Sequence, residues 1–188
     1  LRRHSNPFTA ARRPALRLSW PGALACALVL AWALPVAAAD VLSSARDIET
    51  LYRRGEATLA EQRLDSALAQ RPGDASLRFL RGVMLSEAGR TAQAMAQFEG
   101  MTQEFPDLPE PYNNLAVLQA AAGQLDRARE LLEAALRLDP GYQQAHENLG
   151  DVFVRLAQRA YLAAATGPRT EAALQTKLRL ARELAAVR

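Results

Sequence analysis

The chain has 188 residues, 49% apolar and 23% charged, which is the balance of a folded globular chain and excludes a disordered one. Aromatic residues supply only 6%, which favours helices packed through alanine and leucine over strands, whose faces want β-branched and aromatic side chains. The net charge of +3 resides in the first 39 residues, which hold five of the 23 bases and none of the 20 acids; the remaining 18 bases and 20 acids make a near-neutral body without the cationic footprint that nucleic acid requires.

Residues 1–17 carry Arg2, Arg3, Arg12, Arg13 and Arg17, and residues 18–39 carry no charge. Within that run, residues 23–34 (ALACALVLAWAL) are apolar, and Pro35 leads into Val36-Ala37-Ala38-Ala39. Basic, apolar and small-residue parts in that order read as a secretory signal peptide. Ala37 and Ala39 set an A-x-A spacing, so cleavage is expected after Ala39 and the body is expected in the periplasm. The uncharged run approaches the roughly 20 residues that a membrane span needs. The alternative is therefore an uncleaved segment, 18–39, that anchors the body at the inner membrane. Cys26, the only cysteine, lies in this run. A chain cleaved after Ala39 therefore has no thiol, disulfide or cysteine metal site.

From Val41 onward the punctuation repeats every thirty-four residues, with blocks starting at Val41, Ala75, Pro109 and Gln143. Gly55, Gly89 and Gly123 share the fifteenth place, and Pro72, Pro106 and Pro140 the thirty-second. Glycine closes a helix by taking the left-handed conformation; proline ends one by lacking an N–H and restricting the residue before it. Ala60, Ala94 and Ala128 share the twentieth place, where a small side chain lets two helices approach. Leu64, Phe98 and Leu132 stand four places on, on the same helix face, and Ala67, Met101 and Ala135 three beyond that. Each block predicts a helix–turn–helix unit; in the third, the helices run from Pro109 to Ala122 and from Leu125 to Leu138.

The fourth block departs from this pattern. Ala157 stands where glycine is expected, so one helix is predicted from about residue 143 to 165, through Val152, Leu156, Ala160 and Ala163. Thr166-Gly167-Pro168-Arg169 then breaks the chain. Thr170 is placed to cap a last helix over about 171–186, with Leu174, Leu178, Ala181 and Leu184/Ala185 on its apolar face and Lys177, Arg179 and Arg182 outside.

These columns resemble the tetratricopeptide repeat family. Tyr112, Leu115, Ala116, Gly123, Ala128, Leu132, Ala135 and Pro140 fill eight of its signature places in the third block, with Gln119 replacing an aromatic. Gly82 and Phe98 fit in the second block, but Arg81 replaces a leucine; Ser44 and Ile48 are what remains in the first helix of the first; Leu149, Gly150 and Phe153 open the fourth. The resemblance implies an all-α, right-handed superhelical stack over residues 40–165, then a linker and a C-terminal capping helix over 166–188 that seals the end with a polar back. It also implies a concave groove lined by the first helices, which holds a protein or peptide partner. The family's contact places include Glu87 and Glu110, and those expected to meet the partner are Phe79, Asn113, Asn114, Val117, Glu147, Asn148, Asp151 and Arg155. Asn114 and Asn148, thirty-four apart, are read either as amides offered to an extended peptide or as braces of the groove. Asp151 is four residues before Arg155 and is placed to claim it.

Motifs for chemistry are absent from the sequence. His146-Glu147 opens like HExxH, but Gly150 stands at the second histidine place, and one His with one Glu does not make a zinc site. No cofactor, metal or catalytic residue is expected. The reading is a binding scaffold of the bacterial cell envelope, with a membrane-anchored assembly factor second and a hydrolase on a helical scaffold as the rival of another class.

Overall fold

The structure, a computed structural model, describes residues 44–166 and 172–187. The expected leader, its cleavage signal and the Thr170 cap lie outside the described residues. Among the described residues there are eight helices and no strand: α1 (Ala45–Arg53), α2 (Ala57–Gln70), α3 (Ala75–Glu87), α4 (Thr91–Glu104), α5 (Pro109–Ala121), α6 (Leu125–Leu138), α7 (Gln143–Ala165) and α8 (Ala172–Ala186). Each packs on the next in the chain, and α5 also meets α7. This is the expected all-α stack of hairpins. No helix among the described residues is long and apolar enough to cross a membrane.

Local chemistry sets the helix ends. Gly55, Gly89 and Gly123 have φ of 84°, 71° and 81°, the left-handed region open to a residue without Cβ. The residue after each glycine donates its N–H to the carbonyl five residues back: Glu56 to Leu51, Arg90 to Leu85 and Gln124 to Gln119. That bond satisfies a carbonyl the helix would otherwise leave open. Arg71, Phe105 and Asp139, each before a proline, leave the helical conformation with φ near −130° (−132°, −129° and −132°). Asp74 caps α3 by accepting from the Leu77 N–H, and Pro109 starts α5 where no N–H is needed. In the degenerate first block, Ser44 and Asp47 form a reciprocal capping box, and α1 begins at Ala45 instead of near the block start.

The small-residue column works as packing requires. Ala60, Ala94 and Ala128 are fully buried, as are Ala67, Met101 and Ala135. Phe98 is buried against Gly82: a Cβ there would lie 2.5 Å from the ring. The Phe98 ring tilts onto Phe79 with centroids 5.6 Å apart.

The core divides into two clusters, one holding Ile48, Leu64, Leu77 and Met84, the other running from Ala94 to Val152. Arg81 interrupts the apolar column at the seventh block place. Leu115 and Leu149, at the same block place, join the second cluster, whereas the Arg81 head reaches out to Asp65 on α2 and supplies no apolar filling. A cleft of about 570 Å³ remains there, lined by Leu64, Met84 and Gln97 among others.

The long helix has its expected extent, and the last helix differs from expectation in which side chains it buries. α7 runs unbroken for 23 residues, and Arg159 ties it to Asp126 at the start of α6 at 2.9 Å. α8 lies against the side of α7 that bears Val154, Ala157 and Tyr161, so Ala160 and Ala163 are exposed. Leu178 and Ala181 are buried as expected, and Lys177, Arg179 and Arg182 lie outside. Leu184 does not share the buried face; it is 59% exposed, and Leu180 and Val187 are exposed with it. Beside that charged outer row, Leu180, Leu184 and Val187 form an apolar stripe, and Leu184 and Val187 line a cleft.

Candidate partner-binding groove

The first helices of the hairpins line a groove with two clefts. α1, α3 and the start of α5 enclose the first, about 500 Å³, with Phe79, Val83, Leu108 and Pro111 as apolar walls and Arg46 and Glu110 at its polar positions. The end of α5, the middle of α7 and the end of α8 enclose the second, about 490 Å³, with Val117, Ala120, Val154, Leu184 and Val187 beside Asn148, Asp151 and Arg155. The two alanines at the end of α5, Ala120 and Ala121, leave room that larger residues would fill.

The expected site residues separate into three kinds. Phe79 and Val117 present apolar surface; Phe79 is half-buried on Phe98 and Val117 is 44% exposed. Asp151 and Arg155 both line the second cleft, but they make no ion pair with each other: each is without an ionic partner among the described residues. Glu147 is exposed on α7, one helical turn before Asp151.

Asn113 and Asn148 brace the groove. Asn113 is only 2% exposed, and its Oδ1 accepts a 2.8 Å hydrogen bond from Nδ2 of Asn148. This ties α5 to α7, and Asn113 offers no surface to a partner, contrary to the expectation. Its polar side chain is tolerated there because the bond replaces water. Asn114 donates from Nδ2 to the Glu110 carbonyl one turn back. The two amides thirty-four apart therefore do not form a ladder; Asn148 pairs one place earlier.

His146 is likewise committed. Its Nε2 lies 3.0 Å from the Pro140 carbonyl, which requires that nitrogen to carry the proton. Among the described residues no group of three or more His, Cys, Asp or Glu side chains is arranged to hold a metal.

Charge is distributed unevenly. Away from the groove, Arg78 pairs with Glu104, Arg81 with Asp65 and Arg90 with Glu61. The Arg78 hydrogen bond holds the Glu104 carboxyl below its usual range. Beside the groove, burial, followed by the charges of Glu110 and Asp139, pushes the Tyr142 phenol up. The carboxylates of Glu110, Glu147 and Asp151 have no ion pair among the described residues.

Sequence reasoning missed Leu184 and Val187 as groove residues. The signal was present: Leu180, Leu184 and Val187 are spaced i, i+4, i+7, a second apolar stripe beside the one that packs on α7.

Stacked helical hairpins that leave a lined groove on one face define a helical-repeat protein. Two models described as tetratricopeptide repeat match residues 48–109 and 85–149, and the chain belongs to that family. Solved structures of the same fold include the second TPR domain of human RPAP3 in complex with the HSP70 peptide SGPTIEEVD (TM-score 0.53, 16% identity, 62% of this chain and 98% of that one). MamA from Desulfovibrio magneticus RS-1, residue 41 to its end, matches with a TM-score of 0.52 and 20% identity over 74% of this chain and 68% of its own. A mutant O-GlcNAc transferase from Thermobaculum terrenum matches with a TM-score of 0.56 and 22% identity over 70% of this chain and 26% of its own. At these identities the likeness is one of fold.

Proposed function

We propose that this protein is a non-enzymatic scaffold or assembly factor of the bacterial cell envelope that binds a peptide or protein segment in the groove of its first helices. One observation carries the reading: Val117, Asp151 and Arg155 line a 490 Å³ cleft and are not used up by the stack's own packing or ion pairs. The RPAP3 domain of the same fold, which holds a peptide, supports it. Commitment of His146 to the Pro140 carbonyl disfavours the hydrolase reading. A photo-crosslinking residue placed at Val117 is expected to capture a protein in cells, and one placed at Arg137, exposed on α6, is not. Equal capture from both positions refutes the assignment.

The basic, apolar and small-residue order of residues 1–39 supports export to the periplasm with removal of the leader after Ala39. The uncharged run 18–39 supports a second reading, a membrane-anchored assembly factor of the kind that serves cytochrome maturation or outer-membrane biogenesis. Intact-mass measurement separates them: a mature chain starting at Asp40 supports cleavage, and retention of residues 18–39 supports the anchor.

A further inference from the structure

We infer that the groove selects a basic, extended segment carrying two apolar side chains four to six residues apart, one for each cleft. This rests on the groove reading above and adds the chemistry of its ligand.

The charge argument concerns the groove from α3 to α7. Glu87, Glu110, Glu147 and Asp151 stand at its contact places, against one base, Arg155. The carboxylates of Glu110, Glu147 and Asp151 are without ion pairs among the described residues, whereas Glu61, Asp65 and Glu104 elsewhere are matched by arginines. Arg46, on α1, is the exception; it lines the first cleft together with Glu49 and Glu110. The body is close to neutral, so this local excess gives the groove from α3 to α7 a negative balance. A peptide such as the SGPTIEEVD held by the RPAP3 domain brings like charge to it; a lysine- or arginine-bearing segment brings the complement. Arg155, which lines the second cleft, admits one acceptor group there.

The spacing follows from α5, which both clefts share. The first cleft touches it at Glu110 and Pro111, the second at Ala116, Val117, Ala120 and Ala121. At about 1.5 Å rise per residue these groups are roughly 12 Å apart along the axis. The first cleft opens toward α3 and the second toward α7, adding about 9 Å sideways, one helix–helix spacing. The centres are then roughly 15 Å apart, which an extended chain at about 3.3 Å per residue covers in roughly four to five residues. Both clefts have apolar walls, Phe79, Val83 and Leu108 in one and Val117, Leu184 and Val187 in the other. Each is larger than one aliphatic side chain, so each accepts a leucine or phenylalanine.

The test uses the full chain and blocked, fluorescein-labelled ten-residue peptides read by anisotropy. One peptide has two leucines five places apart with lysines between them. A second has glutamates for the lysines, and a third places the leucines two apart. The first is expected to bind at least tenfold tighter than the second and several-fold tighter than the third, with the charge preference shrinking as salt is raised. E147K together with D151K, both at exposed positions, is expected to reverse the order of the first two peptides while the melting temperature holds. Equal or tighter binding of the glutamate peptide overturns the charge assignment and leaves the groove reading standing. Equal binding of the first and third overturns the two-anchor spacing. Failure of all three to bind, or binding unaffected by V117D, overturns the groove reading itself.

Discussion

Gly82 and Gly150 occupy the same place, the eighth, in their blocks, yet alanine should act oppositely at the two. A Cβ on Gly82 would lie 2.5 Å from Cε1 and 2.6 Å from Cζ of Phe98. Carbon atoms prefer about 3.5–4.0 Å, so the ring must retreat by about 1 Å. It has little room, being fully buried and backed by Phe79. Overpacking of this kind costs about 1–3 kcal/mol, and replacing a helical glycine with alanine returns about 1 kcal/mol. Gly82→Ala should therefore lose roughly 1 kcal/mol net. At Gly150 a Cβ meets nothing within 4 Å. Only the propensity acts there, and Gly150→Ala should gain about 0.5–1 kcal/mol. Urea denaturation followed by far-ultraviolet circular dichroism reads both. Phe98→Leu supplies the control: with the ring gone, Gly82→Ala should become neutral or stabilising, a coupling that a double-mutant cycle exposes. If Gly82→Ala stabilises the protein with Phe98 intact, the packing account of this column is wrong.

The asparagines should also diverge. Asn148→Ala strips the donor from the buried Asn113 oxygen and should cost about 1–3 kcal/mol, whereas Asn114→Ala should stay within about 0.5 kcal/mol; equal losses in urea would contradict the brace. Leu115→Ala should cost roughly 2–5 kcal/mol through the cavity it leaves, and Ala128→Leu about 1–3 kcal/mol by forcing α5 and α6 apart; parental melting in either variant would misplace that column. For pH, the Ser44 hydroxyl and N–H hold Asp47 below its usual range, and Arg78 does the same for Glu104. A carboxyl depressed in the folded state stabilises above its unfolded pKa and loses that contribution as pH falls through the folded one. Melting temperature should thus stay level from neutral pH down to about 5 and decline below about 4. Asp47→Asn with Glu104→Gln should shallow that decline, and an unchanged acid limb would refute the assignment.

What the sequence made legible was the part fixed by neighbours in the chain. Gly55, Gly89 and Gly123 could be assigned because a left-handed turn needs glycine wherever the hairpin lies. Ala60, Ala94 and Ala128 could be assigned because close approach within one hairpin leaves no room for more. The groove was less legible because it depends on the setting of one hairpin against the next. Asn113 and Asn114 are adjacent on one helix, about 100° apart around its axis. Only the position of α7 decides that the first is buried and the second is not. Arg81 posed the same difficulty: its departure from leucine was plain, but not that its charge would be met by Asp65 and leave a cleft behind it.

The most consequential substitution is Ala157, which stands where the other blocks have glycine. Without a residue that readily turns left-handed, the helix continues, and 23 residues at about 1.5 Å each carry α7 to roughly 34 Å, against about 20 Å for the 13-residue α5. The surplus projects past the hairpin, and α8 returns along it on the side of Val154 and Tyr161. That path uncovers Phe153, now 48% exposed, because no paired helix lies over it. It also brings the end of α8 back to the groove, where Leu184 and Val187 complete the second cleft. A helix that on composition alone reads as a cap thus becomes a wall of the candidate site, through the absence of one glycine some thirty residues earlier.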